Sequence, residues 1–412
     1  MWCWRLPAGL VFRGSICLEG KGHEKYLSSR LILSAALTGA GVTPALAASG
    51  DIWDLGVLAP NGEESYANDI NNAGQVVGFG DQGLRFRAFL YTGTPGVDGQ
   101  MINLGAAGGA SDSYADGISS AGHVTGWLDF GSYARGFLYY NGTMTVLPTL
   151  GGSSSFGVGV NASGHVVGEA YLSNGRSRAF FWNGTNMINL GTLPGGTESW
   201  ATDINDAGLI VGASEVSGGY DRAFVYVGTP GSGQMRSLGT LPGGTDSWAY
   251  AVSDTGFITG ESDYGPDYRA FLYVGLPGEG GQMYDLGDLG GGWSAGYEVN
   301  SFGHVVGSSW RGVYDAVAFL YIGTPGVDGQ MIDLDAWLDE VNPVEGAKWK
   351  LLSAYGINDS GLIVGTGLYE YGNISEYRAF LLDASALVVP EPATITLLAV
   401  GGLALMHRRS RR

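Results

Sequence analysis

Ser199-Trp200-Ala201-Thr202-Asp203-Ile204-Asn205-Asp206-Ala207-Gly208-Leu209-Ile210-Val211-Gly212 is the stretch whose reading decides the fold. Its phrase, A-x-D-I-N-x-A followed by G-x-[VI]-[VT]-G, returns with variations around Gly74, Gly122, Gly164, Gly208, Gly256, Gly303 and Gly361, at intervals of 48, 42, 44, 48, 47 and 58 residues. A period in the forties marks a small supersecondary unit stacked on copies of itself. Within this unit residues 199–205 alternate apolar with small or polar side chains, and residues 209–212, 222–226 and 235–238 are short apolar runs. Each run is bounded by turn residues and reads as a strand. Asn205-Asp206-Ala207-Gly208 predicts a tight hairpin with positive φ at the glycine. Asn141-Gly142 and Asn183-Gly184 predict two-residue turns between third and fourth strands, a loop that Gly93-Thr94-Pro95-Gly96-Val97-Asp98-Gly99 lengthens.

Four antiparallel strands in about 45 residues form the blade of a β-propeller, and a blade must be covered by neighbours on both faces. The seventh unit runs through Arg378-Ala379-Phe380-Leu381-Leu382 without a fourth strand, whereas Asp51-Ile52-Trp53-Asp54-Leu55-Gly56 stands ahead of the first unit and has the form of that strand. The expectation is an all-β, seven-bladed β-propeller over residues 48–386, closed by pairing the two ends. The long last interval carries an insertion at residues 333–350, where Leu334, Trp337, Leu338 and Val341 recur at helical spacing. A helix of about two turns is expected there, ended by Pro343.

Composition agrees. Glycine makes up 72 of 412 residues, too many for helices, since each interior glycine costs about 1 kcal/mol relative to alanine. Between residues 48 and 407 there are 12 basic against 37 acidic residues, a net charge of −25. Such a surface repels phosphate backbones and excludes nucleic acid as a partner.

The two ends read as addresses. Lys25 and Arg30 precede an apolar run at 31–42, and Ala45-Leu46-Ala47 fits the small-x-small cleavage rule with Ala45 and Ala47 as its small residues. Residues 1–47 are therefore expected to be a signal peptide, with 1–24 belonging to a start placed too far upstream. Both cysteines, Cys3 and Cys17, would leave with it. At the other end, residues 393–406 are apolar and precede Arg408, Arg409, Arg411 and Arg412. This is the pattern of a one-pass anchor with its basic end in the cytoplasm, although fourteen residues are short for a bilayer core of about 30 Å.

Val389-Pro390-Glu391-Pro392, the apolar segment and the terminal arginines together resemble the PEP-CTERM sorting signal. The resemblance covers residues 387–412. It implies a tail read and cut by an exosortase, transient anchoring in the inner membrane, and delivery to the surface or polysaccharide matrix of a Gram-negative bacterium. The repeated units also resemble the HAF-repeat family of exported bacterial proteins. The tripeptide is here R-A-F at Arg87, Arg178, Arg222, Arg269 and Arg378, R-G-F at Arg135, and Val317-Ala318-Phe319 in the sixth unit. No histidine leads it, and the resemblance implies no reaction.

Candidate binding residues are weighed against simpler roles. Tyr66, Tyr114, Phe156, Trp200 and Trp248 share one position eight residues before the hairpin glycine. Aromatic rings there suit stacking on sugars, and equally packing between blades. His123, His165 and His304 each follow that glycine and read as residues opening the second strand rather than as a metal set. Asp69, Asp203 and Glu298 share a position filled by glycine or alanine in the other four units, too patchy for a ring of catalytic carboxylates. Asp98 and Asp328 offer oxygens to Ca²⁺, but Asp-Gly turn chemistry explains them without an ion. The R-A-F arginines suit stitching as well as anion contact. No cofactor and no catalytic residue is expected. The predicted role is non-enzymatic association with polysaccharide or another surface component. The alternatives are a glycan hydrolase or lyase at the central channel, and a structural spacer.

Overall fold

The computed structural model describes residues 50–388, apart from 61, 314 and 373. They form seven four-stranded antiparallel sheets, six of them simple meanders and the seventh completed by a strand from the other end of the chain, so the chain is all-β and a seven-bladed β-propeller. Blade 1 comprises Ser65–Ile70, Val76–Asp81, Phe86–Thr92 and Gln100–Gly105. The first strand of each blade is innermost, and these inner strands touch one another around the channel. Blades 2 to 6 begin with Asp112–Ile118, Gly151–Val160, Ser199–Ile204, Ser247–Val252 and Ser294–Val299. Blade 7 takes Trp349–Ile357, Leu362–Tyr371 and Ile374–Asp383 from the end of the repeats. Its outer strand is Ile52–Asp54, which sets Ile52, Trp53 and Asp54 opposite Leu382, Leu381 and Phe380.

Both glycines of the repeated phrase have a physical cause. Gly208 closes the hairpin at φ +83, and its N–H reaches the Asn205 carbonyl at 2.9 Å. A Cβ on Gly212 would collide with the Trp200 carbonyl oxygen, because the inner strand bulges toward it between Ala201 and Asp203. Asn141-Gly142 is a two-residue turn with positive φ at both positions. Asn183-Gly184 is not: the Asn183 side chain accepts from the N–H groups of Thr185 and Asn186 and spreads the loop over residues 183–186.

The R-A-F tripeptide is explained by what its residues meet in the next blade. The phenylalanine is fully buried in all seven blades: Phe89, Phe137, Phe180, Phe224, Phe271, Phe319 and Phe380. The small residue's N–H donates to a serine hydroxyl at the start of the next inner strand. The pairs are Ala88 to Ser113, Gly136 to Ser155, Ala179 to Ser199, Ala223 to Ser247, Ala270 to Ser294 and Ala379 to Ser65, at 2.9–3.2 Å. Five of these hydroxyls donate in turn to a glycine carbonyl at or just past the end of the preceding blade's outer strand. Ser113 meets Gly105, Ser199 Gly191, Ser247 Gly239 and Ser294 Gly287 at 2.6 Å, and Ser65 meets Gly56 at 2.7 Å. Arginines stitch the same junctions: Arg87 donates to the Ser111 carbonyl at 2.7 Å, and Arg135, Arg178 and Arg269 donate to those of Ser153, Thr197 and Gly292.

The junction between blades 6 and 7 departs from this plan. A bulge between Leu351 and Ser353 puts Leu351 at the serine's register, opposite Gly367, and the insertion supplies other contacts. Helix α1 (Leu334–Val341) is capped by Asp333, whose side chain accepts from the Ala336 N–H. It buries Leu334 and Leu338 in one cluster with Ile52, Trp349, Leu351 and Leu382. Arg311 draws together Asp315, Asp333 and Asp335. Pro343 does more than end α1, because it opens a further turn, α2 (Pro343–Gly346), where its missing N–H costs nothing.

Two expected outcomes test this account. Ser199→Ala leaves the buried Ala179 N–H without its acceptor and should cost about 1–3 kcal/mol, read as a lower thermal midpoint. Deleting residues 48–56 removes the outer strand of blade 7 and bares a sheet edge. Aggregation and a lowered midpoint are expected, and unchanged stability would show that the terminal strand holds nothing together.

Candidate functional site

Antiparallel meanders put two kinds of connection at each end of the ring. At one end lie the hairpins that follow each inner strand and the loops such as residues 93–99; this is the hairpin face. The opposite face carries the second-to-third strand turns and the blade-to-blade crossings. The channel opens on the hairpin face into a cavity of about 140 Å³ lined by Asn71, Asn72, Asp206, Asp254, Asn358 and Asp359 among others. A second cavity of about 320 Å³ lies deeper, lined by Asn68, Asp116, Thr202, Tyr250, Tyr297 and Tyr355 among others. Asp69, Asp203 and Glu298 border both cavities and so form the neck between them.

The mouth is built by the asparagine of D-I-N. Asn71, Asn205, Asn300 and Asn358 each use the side-chain carbonyl to cap their own hairpin. Each uses the side-chain N–H₂ to reach the next blade's carbonyl at Ser119, Ser253, Asn358 and Asn71, at 2.9–3.4 Å. Further round, Asp206 accepts from Ala162 N–H and from the Ser120 hydroxyl, drawing the hairpins of blades 2, 3 and 4 together.

Along the sequence Asp69, Asp203 and Glu298 read as scatter, and the structure corrects this by bringing them to one level of the channel. Asp69 accepts from its neighbour Ile70 at 2.6 Å and from Ile118 of blade 2 at 2.7 Å. Asp203 accepts from Ile204 at 2.7 Å and from Val252 of blade 5 at 2.8 Å. Glu298 accepts from Val299 at 2.8 Å. Before Asp69 and Asp203 the preceding blade has a glycine, Gly356 or Gly159, where a Cβ would crowd the backbone of the carboxylate residue. The three groups lie deep in the ring and show solvent only a strip facing the channel. Burial pushes Asp69 up to about 6, against the pull of its two N–H donors. It pushes Asp203 up to about 7 and Glu298 well above the carboxylate range, and in both the neighbouring carboxylates add to the rise. At neutral pH the neck therefore holds protons as well as charge.

Asp116, one residue earlier in its blade, was not singled out from the sequence. It faces the deeper cavity, and burial alone raises it to about 7. Opposite it stand Tyr250, Tyr297 and Tyr355. Tyr297 stacks on Tyr355 at 5.2 Å, and the Tyr250 hydroxyl donates to Glu261 at 2.7 Å. The signal was a column: once the seven inner strands are aligned on their hairpin glycines, these four residues share the position before the D of D-I-N.

The other candidates are dispersed. Tyr66 stacks on Phe79 at 4.8 Å and on Tyr377 of blade 7 at 6.1 Å. Tyr114 stacks on Trp127 at 4.2 Å and meets Phe79 of blade 1 edge-on at 5.0 Å. Phe156 continues this belt against Trp127. The Trp200 indole lies beside the carboxylate of Glu169 of the preceding blade, and the Trp248 indole beside that of Asp221. All five rings are half-buried, at the start of their inner strands and so toward the face opposite the hairpins. His123 stacks on Tyr140 at 4.0 Å, His165 lies against Phe181, and His304 contacts Asn300 of its own hairpin. Asp98 and Asp328 accept from Thr94 and Thr324 and close their own loops, each at 2.7 Å. Ala45, Ala47, Val389, Pro390, Glu391 and Pro392 lie outside the described residues, as does the apolar segment 393–406. No helix among the described residues is long and apolar enough to cross a membrane.

Residues 388–412 match the PEP-CTERM protein-sorting motif. It is a sorting signal of exported proteins in Gram-negative-type envelopes and is processed by exosortase. No curated protein matches the chain. Among solved structures it is similar to TolB from Acinetobacter baumannii, at 14% identity and a TM-score of 0.39, over 66% of this chain and 65% of that one. It is also similar to the β-propeller domain of the trilobed protease from Pyrococcus furiosus, at 10% identity and a TM-score of 0.48, over 78% of this chain and 94% of that one. A third is the Trypanosoma rangeli sialidase, at 10% identity and a TM-score of 0.36, over 82% of this chain and 56% of that one.

The channel sets a pH dependence. In the unfolded chain carboxyls release protons near pH 4; in the folded ring Asp69, Asp116 and Asp203 hold theirs to about 6 or 7. Between those limits the folded state binds more protons, so stability falls as pH rises through the window. Thermal midpoints should be higher near pH 5 than near pH 8, and Asp116→Asn should raise the midpoint near pH 8 and narrow the difference. A midpoint that climbs steadily over that range would contradict the assignment.

Proposed function

We propose that this chain is an exported, non-enzymatic component of the cell surface or extracellular matrix. In this reading it associates with polysaccharide or another surface polymer. The observation that carries the proposal is the direct join between propeller and sorting motif. The last described turn, α3, is Ser385–Val388, and the motif begins at residue 388, so the propeller is what the tail delivers. A signal peptide cut after Ala47 and transient anchoring in the inner membrane before exosortase cuts the tail belong to the same proposal. So does kinship with HAF-repeat proteins, on the strength of the repeated tripeptide.

Two features support binding rather than catalysis. Both oxygens of Asp69 and of Asp203 are engaged by backbone N–H groups, which suits stitching blades together. The half-buried edges of Tyr66, Tyr114, Trp200 and Trp248 offer apolar surface beside polar groups, the chemistry that holds a sugar ring. One observation favours the alternative, a glycan hydrolase or lyase. The carboxylates do converge, and Asp116 is held in the protonation range of a general acid.

One experiment separates the readings. The secreted protein is screened on a glycan array with and without Ca²⁺, and the bound glycans are then assayed for new reducing or unsaturated ends. Retention without cleavage, weakened by Trp200→Ala and Trp248→Ala, is the expected result. Cleavage abolished by Asp116→Asn would install the enzyme instead, and no retention of any glycan would leave the structural spacer.

A further inference from the structure

Every blade gives one side chain to a ring around the deeper cavity. Blades 5, 6 and 7 give Tyr250, Tyr297 and Tyr355, and blade 2, across the channel from them, gives Asp116. Val158 and Thr202 close the ring on one side and Asn68 on the other. These residues precede the neck carboxylates in strands that run toward the hairpins, so the ring lies between the neck and the opposite face. The cavity measures about 320 Å³, within the range of about 300–1,000 Å³ that small-molecule pockets occupy.

Part of this wall has its hydrogen bonds satisfied and part does not. Asn68 donates to the Ala115 carbonyl and Thr202 to that of Ala249, each at 2.9 Å, and Tyr250 donates to Glu261 at 2.7 Å. Asp116 and the hydroxyls of Tyr297 and Tyr355 make no hydrogen bond or ion pair to any described residue. Asp116 differs here from Asp69 and Asp203, whose oxygens are taken by backbone N–H groups. It lies deep in the ring and opens onto the cavity. A buried carboxyl without a partner is costly, and the cavity is where a partner has room.

Charge defines that partner. Seven carboxyl groups line the two cavities of the channel, and no lysine, arginine or histidine does. The complement is a cation. Among the described residues no group of three or more His, Cys, Asp or Glu is placed to hold a metal ion. A bare ion would also leave Val158 and the tyrosine rings facing water. A primary ammonium on a carbon frame meets both demands. Its three N–H groups suit the Asp116 carboxylate and the oxygens of Tyr297 and Tyr355, while its frame covers the apolar wall.

We propose that the deeper cavity binds a primary ammonium group carried on a sugar ring or a short alkyl chain, with Asp116 as its counter-charge and Tyr297 and Tyr355 as its hydroxyl partners. The site is separate from the aromatic belt and does not rest on polymer association. With the ammonium in place Asp116 gains the opposite charge that the protein does not supply, and releases the proton that burial holds to about 7.

The test is calorimetric titration of the secreted protein at pH 7 with glucosamine, butylamine and N-acetylglucosamine. The first two carry the ammonium on different frames, and the third keeps the sugar frame without the charge. At least one amine should bind, with a heat that varies with the ionisation heat of the buffer because protons leave, and N-acetylglucosamine should not. The tighter amine identifies the frame. Asp116→Asn should weaken amine binding about tenfold or more. Glu63→Gln, at an exposed carboxylate outside both cavities, should leave it unchanged. Tyr297→Phe keeps the ring that stacks on Tyr355 and removes only the hydroxyl. It should weaken binding severalfold, and it decides the matter should Asp116→Asn fail to fold. Equal binding of N-acetylglucosamine, amine binding untouched by Asp116→Asn and Tyr297→Phe, or no binding of either amine would overturn the assignment. Failure of the glycan array to retain the protein would leave it standing.

Discussion

A buried serine hydroxyl that accepts from an alanine N–H and donates to a glycine carbonyl of the preceding blade makes one body of separate sheets. Neither partner can be satisfied within its own sheet at that point, and an unpaired buried backbone group costs about 1–3 kcal/mol. The demand recurs at each junction, so the residues that answer it recur too. This is why R-A-F, S-x-A and L-G travel together at one period. The tripeptide is the part of each blade that its successor reads: phenylalanine by burial, alanine by its N–H, arginine by the carbonyl it reaches. The join through Ser65, Ala379 and Gly56 uses the same three groups, although its partners stand at opposite ends of the chain.

Where the clasp is missing, the chain spends extra residues. The Leu351 side chain cannot accept, and the junction of blades 6 and 7 is sealed instead by α1, the carboxylates around Arg311, and apolar packing that includes Ile52. Asp335 also accepts from the Leu351 N–H at 2.8 Å, at the position that a serine fills in the other blades. The insertion is thus placed at the one junction that lacks the repeated bond, and it also buttresses the terminal strand.

The same need for backbone partners shapes the channel. Asp69 and Asp203 reach the N–H groups of Ile118 and Val252 in neighbouring blades. Their carboxyls are thereby drawn together at the neck, where burial opposes their charge. Structure and electrostatics conflict there, and protons held into the neutral range are the outcome.

The sequence by itself determined the blade, the number of repeats, the strand limits around Gly208, the helix in the insertion and the sorting tail. Those features are local, or periodic at a fixed spacing, and turn chemistry and alternation register them residue by residue. The aromatic position was legible as a column but not as a belt, because ring contacts between Tyr66 and Tyr377 or Phe79 and Tyr114 cross blades. The convergence of Asp69, Asp203 and Glu298 was not legible at all. They are more than a hundred residues apart from first to second, and only closing the strands around one axis sets them at one level of the channel wall. Asp116 was missed for a related reason: its importance comes from burial in a cavity that it shares with three tyrosines contributed by blades 5, 6 and 7.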